Sequence, residues 1–75
     1  MKYSLVGVDG NAFSVMGYTA KALRSEGLGD LVNKMQNEAM SGDYDHLLCI
    51  CCDYVEIANN HAESSGYTDD EDMFG

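Results

Sequence analysis

Basic residues are scarce in this chain. Four Lys/Arg stand against 13 Asp/Glu in 75 residues, for a formal net charge of −9. Such a surface repels phosphate backbones and anionic lipid, so direct nucleic-acid and membrane binding are not expected. A basic protein partner suits it better. Cysteine is sparse and odd in number, with 3 in all, so no complete internal disulfide framework can form. Cys51 and Cys52 are adjacent inside an expected helix, a poor place for a bridge between neighbours. A reducing cytoplasm is the simpler setting. Long apolar runs are missing, so no segment approaches the length of a bilayer span. Met1 to Val8 is too short for a signal core followed by a cleavage site. The protein is expected to be soluble and cytoplasmic.

The charge is unevenly spread. Residues 1–62 hold eight acids and all four bases, a net −4, whereas residues 63–75 hold five acids and no base. From Glu63 onward there is no periodicity and little to bury. The expected organisation is a compact helical domain over 1–62 and a disordered acidic tail over 63–75.

The richest stretch is Asp43 to Ala58. Ser41-Gly42 stops what precedes it, and Asp43 can cap a new helix. Tyr44, Leu47, Leu48, Cys51, Val55, Ala58 and Ala62 recur at spacings of 3 and 4, which places them on one helical face. Ile50, Tyr54 and Ile57 widen that face beyond an ordinary stripe, so the helix needs partners on more than one side. It should fade near Asn59-Asn60-His61.

Upstream, Tyr3 to Val8 has the β-branched and aromatic content of a strand. Asp9-Gly10 after it is open to two readings, a hairpin turn or a helix cap. Ala12, Val15, Met16, Thr19 and Leu23 keep helical spacing for longer than a strand would, which favours a helix from about Asn11 to Glu26, capped by Asp9 or Asn11. Gly17 inside it either weakens the helix or marks a close approach of two backbones. Gly27 fits the left-handed position just past its end. A second helix should run from a cap at Asp30 to about Met40, with Leu28, Leu31 or Val32, Met35 and Ala39 inward. Leu47 and Cys51 should then be buried against Met16, Leu23 and Met35.

The fold class expected is mainly α (α+β): a short N-terminal strand followed by three helices. A lone strand exposes unpaired backbone groups on both edges. Pairing across a two-fold homodimer would satisfy it and cover the broad third helix.

The residues Gly7-Val8-Asp9-Gly10-Asn11-Ala12-Phe13 and Ser41-Gly42-Asp43-Tyr44-Asp45-His46-Leu47-Leu48, with Ala22-Leu23-Arg24 and Gly27 between them, carry a resemblance. The chain looks like a group of small uncharacterised bacterial and phage-associated proteins with GxDGNAF and SGDYDHLL motifs. The resemblance covers about residues 5–48. It implies a compact helix-rich unit of mobile-element origin and supplies no catalytic residue or cofactor.

Candidate chemistry is thin. His46, Cys49 and Asp53 share a helical face at spacings of 3 and 4, with Glu56 alongside, and are the candidate metal ligands. No second Cys/His cluster completes a tetrahedron, so the expectation is no metal. A Cys49–His46 nucleophile pair would sit among Asp45, Asp53 and Glu56, which disfavour a thiolate, so no catalytic residue and no cofactor are assigned. Gly7 to Asn11 has the wrong spacing for a dinucleotide fingerprint and lacks a Gly-Lys-Ser/Thr. A helix-turn-helix reading fails because the third helix carries no Lys or Arg. In the tail, Asp69 to Phe74 resembles the acidic, Phe-ending tip of bacterial single-stranded-DNA-binding proteins, but Gly75 follows the Phe and the usual Pro is absent.

The function expected is therefore a small non-enzymatic protein-interaction module. Ile50, Tyr54, Ile57 and Phe74 are its interaction candidates, and a homodimer or a basic protein its partner. The alternatives are a metal- or thiol-dependent protein using His46 and Cys49, and an acidic DNA mimic that occupies a basic protein.

Overall fold

The computed structural model describes the backbone of residues 2–72 and the side chains of residues 2–64. It is mainly helical. Helix α1 spans Ala12–Ser25, α2 spans Val32–Ala39 and α3 spans Tyr44–Asp72, with a 3-10 turn at Gly29–Leu31 leading into α2. α3 packs against both α1 and α2, which also touch each other.

Each helix end has a local cause. Asn11 sits in an extended conformation, and its side chain accepts from the Phe13 N–H at 2.8 Å, which caps α1. Asp9 supports the cap from outside, its Oδ1 accepting from the Asn11 N–H at 3.4 Å. At the other end Gly27 has φ +75, and two bonds close the helix. The Leu28 N–H donates to the Leu23 carbonyl at 2.8 Å and the Gly27 N–H to the Arg24 carbonyl at 3.0 Å. This is a Schellman termination with Gly at the left-handed position. Asp43 caps α3, its Oδ1 accepting from the His46 N–H at 2.9 Å. The cap expected at Asp30 is not formed. Asp30 lies inside the 3-10 turn, where no side chain caps, and its charge faces a helix start only through the dipole.

Val15, Met16, Leu23, Met35, Leu47 and Cys51 form the centre of the core, as the spacing predicts. Thr19 is also fully buried and satisfies its hydroxyl on the Val15 carbonyl at 2.9 Å. Burial pushes the Cys51 thiol above its ordinary pKa and keeps it protonated. Gly17 marks no close backbone approach: it is exposed, and a Cβ there would meet nothing within 4 Å.

Tyr3 to Val8 is not a strand, and there is no strand among the described residues. The physical reason is a turn. The Val8 N–H donates to the Leu5 carbonyl at 3.1 Å, and Gly7 has φ +87, the value a type II turn requires at its third position. Several of the groups that suggested a partner strand are satisfied by side chains. The Asn59 carboxamide accepts from the Tyr3 N–H at 2.7 Å and donates to the Tyr3 carbonyl at 2.9 Å. One amide thereby supplies the two-bond exchange that an opposing residue would make in an antiparallel ladder. The Ser4 N–H donates to the Tyr18 hydroxyl at 3.0 Å. Pairing across a two-fold is not needed to satisfy the Tyr3 backbone or the Ser4 N–H.

α3 continues past Asn59–His61, where the sequence suggests fading, to Asp72. Asn59 is 4 % exposed, held in the helix by its contact with the N-terminal segment. The side chains of the expected acidic tail, beyond Ser64, lie outside the described residues.

Candidate protein-docking groove

The N-termini of α1 and α3 and the C-terminus of α2 meet at one end of the bundle. Three features hold them there. The Tyr44 hydroxyl donates to the Gly10 carbonyl, tying the start of α3 to the loop before α1. His46 Nε2 lies 2.8 Å from the Glu38 carbonyl oxygen, tying the start of α3 to the end of α2. Ser41 Oγ donates to the same carbonyl at 2.7 Å. The joint is tight: a Cβ on Gly42 would stand 2.8 Å from the His46 ring.

Between these ends lies a groove of about 290 Å3. Met16 and Leu47 make its floor, and Phe13, Met40 and Tyr44 are among its walls. The floor is buried, whereas Phe13 is 77 % exposed, Met40 66 % and Tyr44 42 %. Single exposed apolar residues are ordinary, whereas here three large ones are grouped around one concavity. The groove falls just under the roughly 300–1,000 Å3 typical of small-molecule pockets. It suits a few anchoring side chains better than an enclosed substrate.

Its electrostatics are one-sided. Asp43 is the one charged residue in the lining, which holds no Lys or Arg; Glu38 and Asp45 adjoin lining residues in sequence, and Asp9 adjoins Gly10. The three aspartates are exposed. Two helix N-termini open here and would otherwise draw anions. The Asn11 oxygen and the Asp43 carboxylate already accept from those ends.

A larger cavity of about 370 Å3 lies between Tyr3–Val6 and the Cys52/Val55/Asn59 side of α3. Val6, 91 % exposed, is the one large apolar side chain that stands out at its mouth. We favour the smaller groove because its exposed apolar residues are grouped.

At the opposite end Glu26 is a structural anchor. Its carboxylate accepts from the Tyr3 hydroxyl at 2.5 Å, from His61 Nδ1 at 3.1 Å and from Lys2 Nζ at 3.4 Å. The Tyr3 bond first, then His61, holds its pKa down at about 2. The same bond raises the Tyr3 phenol.

The residues singled out in the sequence are scattered. His46 is engaged with Glu38 and Ser41, while Cys49 and Asp53 are exposed on α3. Among the described residues no group of three or more His, Cys, Asp or Glu side chains is close enough to hold a metal. The Ile50/Tyr54/Ile57 flank is divided. Tyr54 is buried and its hydroxyl donates to Glu38 Oε1 at 3.2 Å, Ile50 packs half-buried on the core, and Ile57 is 41 % exposed. Burial first, then the Glu38 carboxylate, raises the Tyr54 phenol. Phe74 lies outside the described residues.

Phe13 and Met40 escape the sequence reading because attention follows the periodic stripe. Phe13 stands three residues before Met16 but at the outer edge of the α1 stripe, and Met40 falls one residue past Ala39. The available signal is that misfit: a large apolar residue that the amphipathic pattern does not use.

No family model matches the chain, and no curated protein or solved structure matches it. Among the described residues no helix is long and apolar enough to cross a membrane.

Proposed function

We propose that this chain is a small non-enzymatic protein-interaction module that docks a partner through the groove between the ends of α1, α2 and α3. The observation that carries the reading is the grouping of exposed Phe13, Met40 and Tyr44 around a concave apolar floor. Tyr44 also ties α3 to the loop before α1, but folding alone gives no reason to place Phe13 and Met40 there, because each keeps most of its surface in water. The three unpaired thiols, Cys49, Cys51 and Cys52, suit work in a reducing cytoplasm. A homodimer is the competing assembly. It loses its strand argument, since Asn59 supplies the pairing within one chain, and it would now have to use this groove or Ile57.

The test is a peptide-display selection on the full chain, with Phe13→Ser/Met40→Ser as counter-target. Sequences that enrich on the natural chain and lose binding on the double variant support the reading. Sequences that bind both equally, or no enrichment at all, refute it.

A further inference from the structure

We infer that the occupant of this groove is an amphipathic helix with a basic polar face, an inference that rests on the docking reading above. The argument begins with the mode of docking. No strand edge is offered among the described residues, so a partner cannot add a strand. What is offered is a groove between helix ends, with Phe13 and Met40 among its walls over Met16 and Leu47. Thioether side chains adapt to varied apolar shapes, which suits helix-in-groove recognition by anchors at i, i+3 or i+4 and i+7.

The second step is charge. Asp43 lines the groove and is exposed, and exposed Asp9 and Asp45 adjoin Gly10 and Tyr44 in sequence, so a partner's polar flanks meet acids here. No Lys or Arg of this chain lines the groove. An acidic or neutral flank would meet repulsion or lose water without return, whereas Lys or Arg would gain attraction. The net charge of −9 extends that attraction beyond contact and speeds encounter with a basic segment. A second copy of this chain is the poorer occupant, because it brings the same acidic rim to the same place.

The test titrates the full chain with a labelled synthetic helix of about 14 residues, long enough at ~1.5 Å per residue to cross a groove of this kind. Its apolar face carries Leu and Met at i, i+4 and i+7, and its polar face carries Lys and Arg. A control keeps the apolar face and replaces every base with Glu. The expected result is at least ~tenfold tighter binding of the basic helix at low salt, shrinking as ionic strength rises. Asp9→Asn/Asp43→Asn/Asp45→Asn should remove most of that preference. Asn keeps the acceptor that each cap uses, so this variant should stay folded. Phe13→Ser/Met40→Ser should abolish binding of both helices.

Equal binding of the two helices, lost in the Phe13/Met40 variant, overturns the basic partner and leaves the docking groove standing. Binding that survives in the Phe13/Met40 variant overturns both. Absence of binding with sedimentation as a dimer that Phe13→Ser/Met40→Ser dissociates assigns the groove to a second copy and overturns the inference. Absence of binding by a monomer overturns it as well.

Discussion

Asn59→Ala is the sharpest probe of how the N-terminal segment is held. The substitution removes the 2.7 Å and 2.9 Å bonds to the Tyr3 backbone without adding bulk. A neutral bond contributes about 0.5–1.5 kcal/mol net, so two contribute about 1–3 kcal/mol. An orphaned buried N–H or carbonyl would cost more, but Tyr3 is only half-buried and can turn back to water. The loss is therefore capped near the docking energy of the segment, about 1–3 kcal/mol. For a domain of this size each kcal/mol moves Tm by about 4–8 °C. Urea unfolding should give the smaller ΔG, and hydrogen exchange should show the Tyr3 amide losing protection before the amides of α1. Asn59→Asp, which sets a carboxylate oxygen against the Tyr3 carbonyl at a buried site, should cost more than Asn59→Ala. An Asn59→Ala protein with unchanged ΔG and an equally protected Tyr3 amide would refute the clip.

Leu47→Ala removes a core side chain at the meeting of the three helices and should cost about 2–5 kcal/mol, read as a fall in the urea midpoint. Gly42→Ala places a methyl 2.8 Å from the His46 ring and 2.9 Å from its Cβ, which cannot swing away. It should cost about 1–3 kcal/mol and shift the His46 ring resonances. Gly17→Ala should do the reverse, raising stability by up to about 1 kcal/mol at an exposed helical site with room for the methyl. The Glu26 carboxyl has a folded pKa of about 2, below its ordinary 4.5. Its contribution is therefore complete above the ordinary value and fades as pH falls toward about 2, so acid titration of stability should flatten in Glu26→Gln.

Much of the architecture is legible in the sequence because local chemistry and the core agree. Asn11, Gly27 and Asp43 each stand where cap or termination geometry wants them, and the Leu47/Cys51 crossing follows from spacing alone. The strand fails because Gly7, inside the β-rich run, takes a positive φ that turns the chain. Nothing local announces that Asn59, 56 residues away, would hold Tyr3. A buried side-chain amide that replaces a strand is a tertiary event. The same limit applies to the interaction candidates. Tyr54 looks unpartnered on a helical wheel, yet α2 brings Glu38 to its hydroxyl. Phe13 and Met40 look incidental until three helix ends converge around them.

The most direct test of the docking groove is residue-resolved NMR of the full chain titrated with the basic amphipathic helix. The account predicts that the largest shifts fall on Phe13, Met16, Met40, Tyr44 and Leu47, with those of Tyr3–Val6 and Cys52 unchanged. Shifts centred instead on the cavity between Tyr3–Val6 and α3, or spread evenly over the acidic surface, would contradict it.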